Sequence, residues 1–571
     1  MLTSQRAQAQ APAHEPLYRI SGTVVNAATG EPVARAAVAV LNIETHRTVA
    51  SAVTDKAGHF ALSGLAAAKY EFTASKRGFL TTFYEQHENF SSAIVTGEGQ
   101  ETEHMTFRIS PGAALAVTVS GEGGDPVAGA KVLLFKRVHD AGLGRRIVPA
   151  GQFATEDDGT ASIYNLEPGE YLVAIQAEPW FAMHAAKRPG SGMEKKTLRK
   201  ANPALDVVYP VTFFDGVTDE SAAAPLQLFP GSRERIAIVL QAVPALHLLV
   251  PLPGASSQKA PDGEEENVST SSLQLSIFGL KLPGVESLTA DQSSDGVEEY
   301  TGIAPGHYEL QTGPPRRILE FDATADRQLA ANTGAPAAEL HATLHAASGS
   351  DLPVQPLLLL RNTDSSHPQE LPVIPCGPDE CFLDALPPGE WQLTLMNGDH
   401  NLPILSIANH GHTHSGNLIR ATDKPLDLTL TVADATVNLE GFAQQDGKGK
   451  AGVMVVLVPQ NPAAHSDLFR RDQSDSDGSF SLHDLAPGAY TLIAIEDGWN
   501  LEWQRPEVLA RFLSHGIPVQ ISAAQPGTPQ TQHLSTPVPV QDGFGKLAPA
   551  SASSPESPAA TSSKQGGEGS L

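Results

Sequence analysis

Long apolar segments are missing from this chain of 571 residues. It contains no run of about 18 consecutive apolar residues, the length that a membrane-spanning helix requires. The sequence therefore predicts no transmembrane segment. The chain is also too long for one hydrophobic core, because single cores stop growing at about 250–300 residues. We expect several domains.

Positive charge is scarce. The 38 Lys and Arg residues are outnumbered by 64 Asp and Glu residues, which gives a formal net charge of −26. Nucleic acids and anionic membrane surfaces are bound through clusters of basic side chains. The charge balance therefore argues against both as partners.

Catalytic motifs are also missing. "HENF" at 87–90 begins like the zinc-peptidase motif HExxH but lacks its second histidine. The sequence has no GxSxG elbow, no Walker loop and no GxGxxG after a strand. We predict that the protein is not an enzyme and uses no cofactor. A hydrolase activity measured in the purified protein would contradict this prediction.

Cysteine occurs only twice, as Cys376 and Cys381 in "CGPDEC". Structural zinc takes four ligands and a redox motif would be CxxC, so neither function is favoured. The four residues between the cysteines are typical of a turn. If the flanking residues pair across a hairpin, the two sulfurs could form a disulfide. We expect that bond in an exported protein and two buried thiols otherwise.

Glycine and proline are abundant, at 50 and 44 residues, and they recur in a repeated segment. Each copy has a turn, a short alternating run, a Pro-Gly pair in four of five cases, and an aromatic residue. The Pro-Gly pair predicts a type II turn and the alternation after it predicts an antiparallel strand. The copies are about 80–140 residues apart, the length of a small β-sandwich. Their aromatic residues are Tyr70, Tyr171, Tyr308, Trp391 and Tyr490.

A second recurring element precedes each of these segments, so the sequence predicts five tandem modules. The predicted boundaries are 17–110, 111–243, 244–335, 336–434 and 435–523. Residues 1–16 are a disordered leader or the remnant of a secretory signal, because "AQAQAPA" resembles the small-residue end of such a signal. Residues 524–571 are rich in Pro, Ser, Ala and Gln, and we expect a disordered tail.

The residues "SGTVVNAATGEPVARAAV", "TDKAGHFALSGL" and "YEFTASKRGF" resemble the carboxypeptidase regulatory-like domain, a transthyretin-like β-sandwich. The similarity is good in the first, second and fifth modules, and the combination resembles multi-copy proteins of this type in acidobacteria. The resemblance implies an all-β fold of tandem Greek-key, Ig-like sandwiches with seven strands per module, outside the cytoplasm. It implies no peptidase, and it makes sugar binding an option at the level of the fold alone.

Two motifs raise the question of metal. In "SDSDGSFSLHDLAPGAY" (474–490), Asp475, Asp477 and Gly478 are spaced like an EF-hand loop, but the first and last ligand positions do not fit. Because other modules carry Asp at similar places, a hairpin turn is the preferred interpretation. His410, His412 and His414 would line one face of a strand, with Asp399 or Asp423 as a further ligand, or would lie on a loop. We predict no resident metal.

Aromatic residues just after the repeated strand are the remaining candidates for binding: Trp180, Phe181, Trp499 and Trp503. Flat rings on loops can stack on sugars, and the alternative is that they close the ends of the sandwiches. The preferred hypothesis is an exported, non-catalytic, rod-like protein for adhesion, scaffolding or ligand presentation at the cell envelope. The alternative is a carbohydrate-binding protein. The expected partners are polysaccharide or envelope proteins, and the expected location is extracellular, periplasmic or outer-membrane associated.

Overall fold

The computed structural model contains 58% strand and 4% helix, which confirms the all-β fold class. No helix in the described residues is long and apolar enough to cross a membrane. The structure describes residues 16–140, 144–184, 202–251, 271–281, 287–288, 291–292, 297–313, 316–330, 332–349, 352, 356–363, 371, 373–398, 400–433, 436–522 and 530–543. Residues 1–15 of the predicted leader (1–16) lie outside them.

The first module packs two sheets, β4-β1-β8 and β3-β2-β5-β6 with β7 beside β5, around a core that includes Phe72 and Phe107. Alternate residues of β5 are buried, as the sequence pattern predicts for a strand with one face on the core. The strands are β1 (Tyr18–Asn26), β2 (Ala37–Asn42), β3 (Thr48–Val53), β4 (His59–Leu65), β5 (Lys69–Ser75), β6 (Thr82–Phe83), β7 (Ile94–Val95) and β8 (Met105–Ile109).

The second module has the sheets β12-β9-β17 and β11-β10-β13-β15, with β16 also pairing β13 and a small β14-β18 ladder. Its strands are β9 (Ala113–Gly121), β10 (Lys131–Asp140), β11 (Gly144–Ala154), β12 (Thr160–Leu166), β13 (Gly169–Gln176), β14 (Val207–Val208), β15 (Thr212–Phe213), β16 (Leu226–Leu228), β17 (Arg233–Leu240) and β18 (Val243–Pro244), with a 3₁₀ helix at Glu220–Ala222.

The third module pairs the sheets β22-β23-β19-β26 and β21-β20-β24-β25-β27. One apolar cluster joins it to the second module, because Phe135 and Phe213 pack with Leu273 and Tyr308. The strands are β19 (Leu246–Pro251), β20 (Ser271–Ser276), β21 (Ser287–Leu288), β22 (Asp291–Gln292), β23 (Val297–Ile303), β24 (Gly306–Thr312), β25 (Arg317–Ala323), β26 (Arg327–Gln328) and β27 (Ala335–Pro336).

The fourth module has the sheets β31-β28-β37-β34-β35 and β30-β29-β32-β33, with β36 also pairing β32, around the fully buried Trp391. Its strands are β28 (Ala338–Ala346), β29 (Leu357–Asn362), β30 (Ile374–Pro375), β31 (Glu380–Leu386), β32 (Gly389–Asn397), β33 (His400–Leu402), β34 (Ile404–Asn409), β35 (His412–Ser415), β36 (Leu418–Ala421) and β37 (Leu426–Val432).

The fifth module is one nine-stranded sheet system, because β46 pairs with both β38 and β43. It also carries the α-helix α1 (Pro506–Leu513), which packs Leu509 and Phe512 against the outer face of β40 and β43. Its strands are β38 (Val437–Gln445), β39 (Lys448–Gly449), β40 (Met454–Pro459), β41 (Arg470–Gln473), β42 (Ser479–Leu485), β43 (Gly488–Glu496), β44 (Ile517–Ile521), β45 (Gln530–His533) and β46 (Val538–Asp542), with 3₁₀ helices at Ser466–Leu468 and Gly498–Asn500.

A common pairing rule runs through all five modules. The first strand of each lies parallel to a strand close to the end of the module: β1 with β8, β9 with β17, β19 with β26, β28 with β37, and β38 with β45 and β46. In the fifth module this last strand lies beyond residue 523. The expected disorder is therefore wrong for 530–543, where Val538 is fully buried. The Pro-rich composition concealed the strand β46, in which Val538 and Val540 flank Pro539, and the rest of the tail lies outside the described residues.

The repeated Pro-Gly pair does not form the predicted type II turn. Such a turn needs φ near +80° at glycine. Gly169 and Gly389 have φ values of 155° and 149°, and Gly306 and Gly488 are not among the residues with positive φ. In each case the glycine is the first residue of a strand. The left-handed residue stands six positions before the aromatic instead, as Gly64, Asn165, Gly302 and Asp484.

Candidate functional site

The acidic turn of the fifth module is built in the same way as the corresponding turns of the first and second modules. Each begins with a hydroxyl residue, Thr54, Thr155 or Ser474, which accepts one backbone N–H and donates to a carbonyl. The next residue donates its N–H to the carbonyl four positions later, and a left-handed glycine closes the turn. Asp477 caps this turn by accepting from the N–H and hydroxyl of Ser479.

These bonds explain the aspartates without metal. Within the described residues, no group of three or more His, Cys, Asp or Glu side chains is placed to hold a metal ion. The hairpin-turn interpretation of Asp475 and Asp477 therefore accounts for their spacing. The motif is a structural unit of the sandwich.

Asp475 nevertheless differs from its counterparts, because it is buried against the first module. Its residue is 8% exposed, whereas the side chain of Asp55 is 58% exposed. Lys69 Nζ donates to Asp475 Oδ2 at 2.7 Å, and the Ala93 N–H donates to Oδ1 at 2.9 Å. Hydrogen bonds from a lysine ammonium or a backbone N–H to a carboxylate are stronger than hydrogen bonds between neutral groups. Asp475 thus connects two modules that lie nearly 400 residues apart.

Polar residues beside Asp475 complete this contact, which we call the first–last interface. The Ser92 hydroxyl donates to the Ser474 carbonyl at 2.8 Å, and the Ser476 N–H donates to the Ala93 carbonyl at 2.9 Å. The Gln473 amide donates to the Glu85 carbonyl at 2.6 Å. Ser92, Ser474 and Gln473 are all at most 1% exposed. Buried polar groups are costly unless satisfied, so these partners give the interface its specificity.

Trp499 covers the edge of the first–last interface. Its ring stacks on His87 with centroids 5.2 Å apart and an interplanar angle of 6°, and it also packs against Phe90 at 5.4 Å. Its indole N–H donates to the Gly452 carbonyl at 3.1 Å. The Arg471 guanidinium lies 5.8 Å from the same ring and pairs with Glu88 at 2.8 Å. Trp499 is therefore an interface residue, because its ring contacts His87 and Phe90 of the first module and Arg471 of the fifth.

Because the first and last modules touch, the expected rod is wrong. The chain folds back so that residues 69–96 meet residues 449–503. Consecutive modules also touch, as in the ion pair of Arg316 with Asp384 at 2.6 Å and the bond from the Ile404 N–H to Asp467 at 3.1 Å. The five modules form a closed chain of contacts.

Burial perturbs the carboxylates near this interface. Burial raises the pKa of Asp472 to about 7, with a smaller contribution from the charge of Asp475, against backbone N–H bonds and Lys69 that lower it. Burial also raises the pKa of Asp475, although Lys69 opposes this. Asp472 accepts from the Ser481 N–H at 2.7 Å and the Gln473 N–H at 2.8 Å. Such groups mark either a functional centre or a structural network, and the full set of protein partners supports the second.

The four candidate aromatic residues are not brought together. Trp503 is 3% exposed and packs edge-on against Phe469 at 5.5 Å, so it belongs to the core beneath α1. Trp180 is 92% exposed and meets Phe181 edge-on at 5.7 Å on a loop of the second module. Among the four, Trp180 and Phe181 form a pair available to a ligand.

The Trp180 loop is fixed by a buried charge network at the junction of the second and third modules. His184 Nδ1 lies 3.0 Å from Asp206, and His247 lies between Asp206 at 3.0 Å and Glu299 at 3.1 Å. Burial acts to raise the pKa of Asp206, but hydrogen bonds and charge from the two histidines outweigh it and lower that pKa. The Met183 N–H also donates to the Leu205 carbonyl at 2.7 Å. The loop is therefore held in one position.

The histidine motif forms a hairpin in the fourth module. His410 and Gly411 occupy the turn with φ values of 46° and 84°, which is typical of a two-residue type I′ turn. His412 and His414 follow on β35, so two histidines share a strand face rather than three. Asp399 lies outside the described residues.

Cys376 and Cys381 are joined by a disulfide, with their Cα atoms 4.3 Å apart. Both residues are buried in the core of the fourth module. The Gly377 N–H donates to the Glu380 carbonyl at 2.7 Å and closes the turn between them.

Sequence reasoning missed the first–last interface because its members look ordinary. No recognisable motif contains Gln473, Ser474 or Ser92. The segment "HENF", which includes His87, resembles only an incomplete zinc motif. One signal was available: Trp499 has no counterpart among the repeated aromatic anchors.

Comparison with known proteins gives one family match. Residues 19–109 match the family model described as carboxypeptidase regulatory-like domain, which confirms the resemblance for the first module. No curated protein matches the chain.

Several solved structures are similar at low levels. The TIE protein of Bacillus anthracis is 10% identical, covering 74% of this chain and 76% of its own, with a TM-score of 0.15. GBS52, the minor pilin of Streptococcus agalactiae, is 13% identical over 40% of this chain and 97% of its own, with a TM-score of 0.20. The shaft pilin spaA of Lactobacillus rhamnosus GG is 9% identical over 40% and 98%, with a TM-score of 0.18. At these TM-scores the likenesses carry no argument about function.

Proposed function

We propose that the chain is a non-catalytic scaffold of the cell envelope, exported from the cytoplasm, which presents β-sandwich modules to partner molecules. The first–last interface is the observation that carries this proposal. Asp475, Trp499 and the 87–90 segment, which suggested chemistry in the sequence, are engaged in contacts between modules. Side chains committed to such contacts are unavailable to a substrate.

The disulfide supports export. Disulfides persist in oxidising compartments and are rare in the cytosol, where thiols are kept reduced. Cys376 and Cys381 are bonded to each other and buried, so the bond contributes to the core of the fourth module. This chemistry supports an extracellular or periplasmic location.

Fractionation of the native cells tests the proposal. We expect the protein in the surface or periplasmic fraction, accessible to added protease after envelope permeabilisation, with both cysteines resistant to alkylation until a reductant is added. Recovery from the cytosol with two reactive thiols would contradict export. A hydrolytic turnover that survives repeated purification would contradict the non-catalytic role.

Carbohydrate binding is the second candidate, favoured by one observation. Trp180 presents an almost fully exposed ring on a loop that hydrogen bonds hold in place. Exposed aromatic faces on rigid loops are suited to the apolar faces of sugars. Glu178, 63% exposed beside His184, supplies a carboxylate acceptor for hydroxyl groups.

A glycan array with matched variants tests this candidate. We expect Trp180→Ala to abolish binding to any polysaccharide that the wild type retains. Tyr164→Ala is the control, because Tyr164 is another exposed aromatic residue of the same module, at 73% exposure. Equal losses in both variants, or no retained glycan, would remove the sugar-binding role.

A further inference from the structure

The β34–β35 hairpin of the fourth module carries chemistry that the proposed function does not use. β35 is the end strand of its sheet, and all four of its residues are exposed. Asn409 pairs with His412 and Ile407 with His414, so β34 fixes the register of β35, and the opposite edge of β35 has no partner strand in the described part of the sheet. An open edge strand with no apolar side chain is accessible to a ligand or to another chain.

His412 and His414 lie on the same face of β35, because side chains alternate along a strand. Residues two apart on a strand are separated by about 6–7 Å along its axis, so two imidazoles can converge on one ion. His414 Nδ1 lies 3.3 Å from the Ser415 carbonyl oxygen. A ring nitrogen directed at a backbone carbonyl is how metal-binding histidines are oriented, and it leaves Nε2 for the ion.

The fold also holds this hairpin in place from its far end. The Asn417 side chain donates to the Leu393 carbonyl at 2.8 Å, and Asn417 is fully buried. Its Oδ1 atom lies 3.5 Å from the Ser466 hydroxyl of the fifth module. Because β35 ends two residues before this anchor, its two histidines stand on a supported strand rather than a free loop.

Two histidines do not complete a metal site. Across the described residues, no third His, Cys, Asp or Glu joins them in a group that could hold a metal. A closed zinc site takes four ligands, and imidazole nitrogen suits Zn²⁺, Cu²⁺ and Ni²⁺. The geometry points to a divalent-cation site shared between two copies of this chain, in which each copy supplies His412 and His414 from its β35 edge.

Untagged full-length protein, stripped with a chelator, tests this site with zinc chloride as the probe. We expect light scattering after size exclusion to give the monomer mass without zinc and twice that mass with zinc. Calorimetry should give one zinc per two chains. Excess chelator should restore the monomer mass.

Variants separate this site from adventitious zinc binding. His412→Ala/His414→Ala should stay monomeric at every zinc concentration. His341→Ala/His345→Ala is the control, since those histidines are exposed on β28 of the same module but lie inside the sheet, and it should dimerise like the wild type. A wild type that stays monomeric in millimolar zinc would overturn the proposal. So would a histidine-412/414 double variant that still dimerises, or one zinc bound per monomer.

Discussion

Each module keeps one buried aromatic residue whose polar atom reaches back four residues to a backbone carbonyl. The Tyr490 hydroxyl donates to the Ala486 carbonyl at 2.9 Å, and Tyr70, Tyr171 and Tyr308 do the same at 2.8–3.1 Å. Trp391 replaces tyrosine, and its indole N–H donates to the Pro387 carbonyl at 2.9 Å. The aromatic anchor of the repeat is thus defined by a hydrogen bond as well as by volume.

Removing this hydroxyl should weaken a module. Tyr490→Phe leaves the Ala486 carbonyl without its partner in a buried place, where an unmade hydrogen bond costs about 1–3 kcal/mol. We expect the free energy of unfolding of the fifth module to fall by that amount in urea titrations followed by hydrogen exchange. Tyr164→Phe is the control, because its hydroxyl lies on an exposed side chain. Equal stability of Tyr490→Phe and wild type would contradict the role of the bond.

Asp472 should make the stability of the fifth module depend on pH. Its pKa is raised from 3.8 to about 7, so the folded state holds a proton that the unfolded state releases above pH 4. The sign follows from proton linkage: the free energy of unfolding is highest near pH 4 and falls as pH rises through about 7. Asp472→Asn mimics the protonated form and should abolish this fall.

Urea midpoints of peptides from 470–481, measured by hydrogen exchange at pH 5 and pH 7.5, check the expectation. Asp158→Asn is the control, because Asp158 is an exposed aspartate in a turn of the second module. A fall of the same size in Asp472→Asn and wild type would show that another group is responsible.

At the scale of elements, alternation and turn chemistry predicted the repeated strands. The other elements depend on which strands pair with each other, and local sequence does not show that. The Asp-Gly turns occur as expected, because a left-handed glycine is a local requirement. The predicted type II turn at the Pro-Gly pair is wrong because its glycine pairs with a neighbouring strand and is the first residue of the following strand. β45 and β46 were missed because a parallel pairing with β38 is not visible in local composition.

Those last strands should be essential to the fifth module. Val538 is fully buried, and the Gly543 N–H donates to the Glu496 carbonyl at 3.0 Å. A chain that stops after residue 523 exposes β38 along its length and opens the core. We expect the fifth module to be unfolded in this chain. Limited proteolysis should therefore cleave it rapidly within 435–523. A chain ending after residue 543 is the control and should resist protease like the full chain.

At the scale of the whole molecule, the first–last interface decides between a rod and a closed chain. Repeats and turns are local patterns and predicted the modules, whereas a contact between residues nearly 400 positions apart leaves no periodic trace. Gln473 illustrates this: nothing in the sequence distinguishes its amide, yet it is 1% exposed in the structure and donates to Glu85 and Ser92 of the first module.

Breaking the interface should therefore open the molecule without unfolding it. Gln473→Ala/Trp499→Ala removes bonds to Glu85 and Ser92 and the stacking on His87, while the sandwich cores of both modules, which contain neither residue, remain. We expect a larger radius of gyration in small-angle scattering with unchanged far-ultraviolet circular dichroism. Gln311→Ala/Trp180→Ala removes the same residue types away from the interface and should scatter like the wild type. An unchanged radius in the interface variant would mean that the remaining contacts, including Lys69 with Asp475, suffice to keep the chain closed. We would then expect the additional change Lys69→Ala to open it, because that change also removes the ion pair with Asp475.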